Sequence, residues 1–577
     1  GSAARALPAT SSAPASAMLP PRTPPRLADG RSGLLPSPAM LAAGTPIHHC
    51  RYLVLGSGLA GLYFALEVAD RGPVVILTKH KAESSNTKWA QGGISAVFAG
   101  DDSLEEHVED TLLVGAGLCD VEMVKHAVQR GPGLVRRLAE RYGVRFDRVG
   151  GDDNAPFELG REGGHSRRRV VHHRDTTGAE IERALLAAAH AHPNITIREQ
   201  HTVIDLLSWS KVDGSRGCFG VYALNNAADR VEAFVAPITV LATGGAGKVY
   251  RYTSNPGVAT GDGIAMAYRI GAPVANLEFM QFHPTCLYHP DENTFLISEA
   301  LRGEGGILRR TDGSELMAGR HPMGSLAPRD VVAREIDAEL KRSGGRYVLL
   351  DMTHLDGEYI VGRFPAIHAR CMSVGIDMRK DPIPVVPAAH YMCGGVVVDR
   401  AGRTDVPGLL AIGEVAMSGL HGACRLASNS LLEAVVLADG AARTCDEFAR
   451  AAPEHVTPWN EGAAQKSDEA VMVTANWEEV RSAMWNFVGI VRSDKRLERG
   501  RRRIELIREE ILEYYWKFRV TRDVLELRNI SLVGHLIIEC ARQRKESRGL
   551  HYTIDYPDTR DAFARDTVLD KRSGPRA

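Results

Sequence analysis

The segment Gly56-Ser-Gly-Leu-Ala-Gly61 follows the apolar run Tyr52-Leu-Val-Leu55 and opens a helical stretch reaching about Asp70. A G-x-G-x-x-G turn between a strand and a helix can hold a pyrophosphate, because its amides and the helix dipole both face the anion. The first glycine allows the tight turn, the second lets the backbone approach the phosphate, and the third permits close helix–strand packing. A nicotinamide site would place an acid at the end of the next apolar run, to accept from the ribose 2′-hydroxyl. Here that run, Val74-Val-Ile-Leu77, ends in Thr78-Lys79, which argues against NAD.

Two further segments decide between dinucleotides. Ala242-Thr-Gly-Gly-Ala-Gly247 directly follows the apolar strand Ile238-Thr-Val-Leu-Ala242, and Val406-Pro-Gly-Leu-Leu-Ala-Ile-Gly-Glu414 puts an acid just after the strand-like Leu409-Leu-Ala-Ile412. Both look like the later segments of FAD-dependent oxidoreductases, where the chain returns to one cofactor. Three glycine segments at strand ends point to FAD.

The elements that position these turns follow from the pattern between them. Strand, turn, helix and strand over residues 52–77 form a βαβ unit and require a parallel sheet. Residues 120–142 and 175–191 read as helices, 195–243 as antiparallel strands with turns, 277–390 as a mixed region rich in His, Pro and Arg, and the chain beyond about 462 as charged helix. Arg492 to Glu510 holds eight basic and five acidic residues, and the interleaved acids predict a solvated, ion-paired face.

Composition excludes several classes. The chain has 577 residues with 70 Lys+Arg against 71 Asp+Glu, a net charge of −1 that gives no basis for binding nucleic acid or an anionic membrane. No long uncharged apolar run is present, so no membrane span is expected. The nine cysteines are dispersed without a zinc spacing, so neither a metal nor a disulfide framework is expected, and reduced thiols suit an intracellular protein. Residues 1–46 carry nine prolines, four arginines and a single acid, and predict a disordered extension. Their proline density argues against the amphipathic helix of a transit peptide, so a cytoplasmic location is expected, with a plastid as the alternative.

More specific motifs span about residues 51–557. They include Ser85-Asn-Thr-Lys-Trp-Ala-Gln-Gly-Gly93, Gln281-Phe-His-Pro-Thr285, Glu299-Ala-Leu-Arg-Gly-Glu-Gly-Gly306, Ala327-Pro-Arg-Asp330, Ala389-His-Tyr391 with Gly394-Gly395, and His421 to Leu432. On these the chain resembles the L-aspartate oxidase family within the succinate dehydrogenase/fumarate reductase flavoprotein superfamily. Arg161-Glu-Gly-Gly-His-Ser-Arg-Arg-Arg169 with His172 and Asp175-Thr-Thr-Gly178, and Arg544-Lys-Glu-Ser-Arg-Gly-Leu-His-Tyr552 with Asp555-Tyr-Pro557, favour the aspartate oxidase branch. Respiratory members carry a flavin-linked histidine where this chain has Asn86, so the resemblance implies non-covalent FAD.

The fold implied is α/β: a Rossmann-like FAD-binding domain (47–276 and 392–461) interrupted by an α+β capping domain (277–391) and followed by a C-terminal helical domain (462–577). Carried over by motif, FAD contacts come from Ser57, Gly58, Leu59, Ala60, Lys79, Asn86, Thr87, Lys88, Trp89, Ala90, Gln91, Gly92, Gly93, Asp262, Glu414, Ser430 and Leu431. Two departures from the family pattern stand out: Cys424 where Asn is usual, and Lys88-Trp89 in place of an aromatic pair.

The resemblance implies a dicarboxylate substrate, which needs cationic or hydrogen-bonding groups at both ends. The catalytic candidates are Arg329, His283, His390 and Glu299, with Arg329 as proton donor or acceptor. Glu162, Gln281, Thr285, Ser298 and Arg425 are expected to bind substrate, Glu162 through the ammonium. Arginine suits carboxylate because its planar fork binds bidentately. The activity implied is oxidation of L-aspartate to iminoaspartate, with oxygen or fumarate as acceptor, feeding quinolinate and NAD synthesis, with contact to a quinolinate synthase as a further expected partner. The alternative is a soluble fumarate reductase or succinate dehydrogenase flavoprotein subunit.

Overall fold

The computed structural model describes residues 45–575 apart from 175, 211–215, 291–293, 299, 328, 452, 454, 468 and 573. The disorder expected for 1–46 lies outside the described residues except at Thr45 and Pro46. There the expectation is corrected: Thr45 Oγ1 accepts from the Trp459 amide (2.8 Å) and the Pro46 carbonyl from the Ala233 amide (2.9 Å).

Five strands form a parallel sheet in the order Leu409–Ala411, Ile238–Leu241, Tyr52–Leu55, Val74–Leu77, Ile195–Arg198. Four of these runs are short and almost wholly apolar, as strands covered on both faces must be, while the edge strand Ile195–Arg198 alternates with exposed Thr196 and Arg198. Helices Leu59–Val68 and Thr177–Ala191 pack on this sheet and on each other, and Asn429–Thr444 packs on Leu59–Val68. The first turn admits no side chain. Gly56 adopts φ +112°, and a Cβ there would lie 2.2 Å from the Ala242 carbonyl oxygen. The run 195–243 is therefore only partly antiparallel. Its first and last strands join the parallel sheet, while His201–Ser210, Arg216–Asn225 and Arg230–Val235 form a separate antiparallel sheet.

A second five-stranded sheet is antiparallel throughout, in the order Phe295–Leu296, Met280–Leu287, Ile383–Met392, Val348–Asp351, Ile307–Arg309. It has its own apolar core, including Leu308, Ile336, Leu350 and Ile383, and helix Arg329–Ser343 packs on its Met280–Leu287 strand.

The charged C-terminal region folds as three mutually packed helices, Ala470–Val488, Asp494–Lys517 and Arg522–Gln543. Ser493 and Thr521 cap the last two. The basic stretch is ion-paired as its spacing predicts: Arg501 meets Glu498 (2.9 Å) and Glu505 (2.6 Å), and Arg502 meets Glu498 (2.8 Å). Among the described residues no helix is long and apolar enough to cross a membrane.

Past Gln543 the helical expectation ends. The chain turns back, and its strand Val568–Asp570 pairs antiparallel with Val274–Ala275. A buried charge cluster holds this return: Arg544 bonds Glu278 (2.6 Å) and Glu546 (2.9 Å), and Arg548 bonds Glu546 (2.7 Å). Helical periodicity does not reveal such a segment because its buried residues are charged. Breaking one partner of a buried pair strands the other in low dielectric. Arg544→Met should therefore cost about 3–5 kcal/mol of unfolding free energy, read from denaturant titration.

Candidate functional site

A cleft of about 1530 Å³ runs from the C-terminal edge of the parallel sheet to the antiparallel sheet and helix Arg329–Ser343. It exceeds the roughly 300–1,000 Å³ usual for a drug-sized ligand. At its nucleotide end lie Ser57 to Ala60, Lys79 and Asp262. Ser57 directs its hydroxyl to the Ala82 carbonyl (2.7 Å), which leaves the backbone of the turn to face an anion. Lys79 Nζ is held by Thr260 Oγ1 (2.5 Å), Asp262 (2.8 Å) and Glu526 (2.8 Å). Burial alone would lower the Lys79 pKa, but the two carboxylates outweigh it and raise it.

The loop Asn86 to Gly93 lines the middle of the cleft together with Glu414, Ser430 and Leu431. Thr87 Oγ1 accepts from the Leu59 amide (3.0 Å), tying this loop to the first turn. Lys88 pairs with Glu83 at the surface (3.2 Å), and Trp89 is 44% exposed at the rim. Glu414 accepts from the Met392 amide (3.1 Å) and from Asn86 Nδ2 (3.0 Å), and its burial raises its pKa. Asn86 Oδ1 is buried with no hydrogen-bond partner in the protein. An orphaned acceptor, a glycine turn that admits no side chain and a cleft of this length fit FAD.

At the far end His283, His390, Arg329, Arg425, Glu162 and Ser298 line one space. The two histidines come from neighbouring antiparallel strands, and their rings stand 5.7 Å apart. His390 Nδ1 meets Ser254 Oγ at 2.8 Å. Burial drives the pKa of both far below the ordinary imidazole value. The charges of Arg329 and His390 add to the effect at His283, and those of Arg425 and Arg329 at His390. Arg425 is also buried, which lowers its pKa. Its Nη1 donates to Ser430 Oγ (2.9 Å), and its guanidinium lies 4.8 Å above the Tyr391 ring. Arg329 opens helix Arg329–Ser343. Glu162 accepts from Ser428 Oγ (2.6 Å).

Two expected substrate contacts stand behind the wall instead of in it. Gln281 Nε2 donates to the Arg425 carbonyl (3.3 Å), and Thr285 Oγ1 to the Ile297 carbonyl (3.0 Å). At period two, residues 281, 283 and 285 would share one face, but the strand register shifts on both sides of His283. Cys424 Sγ sits 3.9 Å from Gln281 Nε2 and 3.9 Å from the Arg425 carbonyl, so it too bears on how Arg425 is held. Glu299 lies outside the described residues.

Sequence reasoning missed Tyr391, Ser428 and Ser254. Tyr391 and Ser428 stand within quoted motifs, where adjacency to His390 and Ser430 was the available signal. Ser254 has no local signal, because only the fold brings it to His390. No cluster of His, Cys, Asp and Glu able to hold a metal ion occurs among the described residues.

Comparison with known proteins agrees with this geometry. Residues 51–431 match the family described as FAD binding domain, and 477–576 match the fumarate reductase flavoprotein C-terminus. The chain is 52% identical to an L-aspartate oxidase of Vibrio cholerae, covering 89% of this chain and 96% of that one. It is 45% identical to a chloroplastic L-aspartate oxidase of Nicotiana tabacum, covering 90% and 83%. A quinol-fumarate reductase solved with menaquinol molecules superposes with TM-score 0.80 at 29% identity, covering 92% and 97%.

The depressed histidines set a pH dependence. An unfolded imidazole titrates near about 6.5, whereas His283 and His390 stay neutral well below that in the fold. The unfolded chain therefore binds more protons below about pH 6.5, and folding stability is lost as pH falls through that range. Denaturant titrations at several pH values should show this slope, and it should be shallower in His283→Asn and His390→Asn.

Proposed function

The chain belongs to the L-aspartate oxidase family of succinate dehydrogenase/fumarate reductase flavoproteins, and on that premise we infer that its cleft oxidises L-aspartate to iminoaspartate. The observation that carries this is the pairing of a cationic wall, Arg425 and Arg329 with His283 and His390, with the carboxylate of Glu162 in one space beside the FAD loop. A dicarboxylate bearing an ammonium group matches that pattern of charge.

Bound FAD would accept the hydride that leaves the substrate Cα, and with it the electron pair, while the amine loses a proton. The protein supplies the rest. Arg425 offers a planar fork to one carboxylate, backed by Tyr391 and Ser430. The neutral histidines can donate hydrogen bonds without adding charge beside two guanidinium groups. Glu162, fixed by Ser428, faces the substrate ammonium. Arg329 is placed to hand a proton to the substrate carbon when fumarate is reduced to succinate. A guanidinium is a natural acid and a poor base, so that direction asks least of it. Gln281 and Thr285 act from behind, holding the backbone of Arg425 and of Ile297, beside Ser298.

Oxygen, giving hydrogen peroxide, and fumarate are the electron acceptors we propose, and quinolinate synthase is the proposed recipient of iminoaspartate in NAD biosynthesis. The location we favour is the cytoplasm, because the bacterial relative is more similar than the chloroplastic one. The second reading, a respiratory flavoprotein subunit, is disfavoured by Asn86, which cannot form the histidyl link to flavin.

Three outcomes test this reading. Anaerobic L-aspartate should bleach the flavin absorbance, while D-aspartate and succinate leave it intact, and bleaching by succinate alone would sink the assignment. Acid precipitation should release all flavin into the supernatant if the cofactor is non-covalent. Arg329→Lys should lower fumarate reduction by about 10²-fold or more, in line with loss of a positioned proton donor.

A further inference from the structure

We propose that His165 is a positioning residue for substrate specificity: it fastens the loop carrying Glu162 to the loop carrying Arg425, and so fixes the spacing between the ammonium and carboxylate ends of the site. This rests on the L-aspartate reading above.

Two ties join these loops side by side. Ser428 Oγ donates to Glu162 Oε2 (2.6 Å), and His165 Nε2 lies 2.8 Å from the Ala427 carbonyl oxygen. A carbonyl only accepts, so Nε2 carries the proton. His165 Nδ1 lies 3.2 Å from Arg169 Nη1, which only donates, so Nδ1 is the acceptor. The ring is a neutral bridge with one defined tautomer. Burial, followed by the Arg169 charge, depresses its pKa, consistent with that state.

Behind His165 the anchor is rigid. Arg169 is fully buried and bonds Asp102 through Nε (2.9 Å) and Nη2 (2.7 Å), and also bonds Asp110. Asp110 in turn accepts from the Ser166 amide and hydroxyl, both at 2.8 Å. Gly164 completes the seam. It adopts φ +89°, and a Cβ there would meet Leu426 at 2.7 Å. The path from Asp102 and Asp110 through Arg169 and His165 thus ends at the residue adjoining Ser428.

Arg425 does not depend on this path alone. Gln281 holds its carbonyl, Ser430 its Nη1 and Tyr391 its face. Loss of His165 should therefore fall on Glu162 and spare the carboxylate end. Fumarate carries no amine and needs no Glu162, whereas L-aspartate does.

The test compares His165→Phe and His165→Gln in the FAD-loaded enzyme, using L-aspartate oxidation and dye-driven fumarate reduction. For His165→Phe the KM for L-aspartate should rise about tenfold or more with little change in kcat, while the KM for fumarate stays within about twofold. His165→Gln keeps a donor and an acceptor and should restore much of the L-aspartate KM. Equal rises in both KM values, or no change in either, overturn the proposal. Should His165→Phe fail to fold, Ser428→Ala cuts the parallel tie and must show the same asymmetry, and an equal effect on both substrates there also overturns it. A parent enzyme that oxidises no L-aspartate overturns the functional reading and this inference together. A parent that does so while His165→Phe is indistinguishable from it overturns this inference alone.

Discussion

The cleft is organised around a buried guanidinium left without an ion-paired carboxylate. Taking a charge out of water costs several kcal/mol even after relaxation. Arg425 receives a hydroxyl from Ser430 and the π-face of Tyr391, yet no carboxylate of the described residues pairs with it within 4.0 Å. Its Nε is buried with no hydrogen-bond partner in the protein. The protein thus holds donors in advance for an anion that arrives later. The neutral histidines follow from the same constraint, since a protonated imidazole near Arg329 and the buried Arg425 would add a further positive charge.

That constraint explains the layers behind the wall. Tyr391 can face Arg425 because its hydroxyl is engaged elsewhere, 3.0 Å from Glu433 and 3.2 Å from His421, while His421 and Glu433 also meet at 2.9 Å. The Glu433 carboxylate is thereby engaged by Tyr391 and His421, one layer behind Arg425. The pairing of His283 with His390 arises from strand register: His283 lies opposite Ala388 and Phe282 opposite Ala389 on adjacent antiparallel strands. Two residues a hundred positions apart become neighbours through backbone hydrogen bonds alone.

What could be read from sequence divides along this line. The nucleotide end was legible because its signals are local: a strand, a glycine turn and a helix within twenty residues, repeated where the chain returns to the same sheet. The substrate end was legible only through resemblance, because Glu162, His283, Arg329, His390 and Arg425 come from five separate segments. Gln281 and Thr285 are expected at the substrate through the resemblance, and the structure turns their side chains to the Arg425 and Ile297 carbonyls, where the register shifts around His283 break the strand's alternation. Tyr391 and Ser428 were passed over because a tyrosine and a serine inside an apolar strand and a helix start carry no periodic mark. The C-terminal return escaped the helical reading because Arg544, Glu546 and Arg548 are buried in pairs, contrary to the rule that charges lie outside.

Arginine is used in two opposite ways in this chain, and the difference lies in its partners. Arg169 and Arg544 are as buried as Arg425, but each is saturated by carboxylates, Asp102 and Asp110 in one case and Glu278 and Glu546 in the other. Such networks add little to stability compared with apolar packing, but they fix geometry, because any displacement exposes an unpaired charge. Both stand next to active segments. Arg169 backs the Glu162 loop, and Arg544 grips Glu278 just before the strand that carries His283. The rigid, paired arginines hold the frame within which an unpaired one can wait for its counterion.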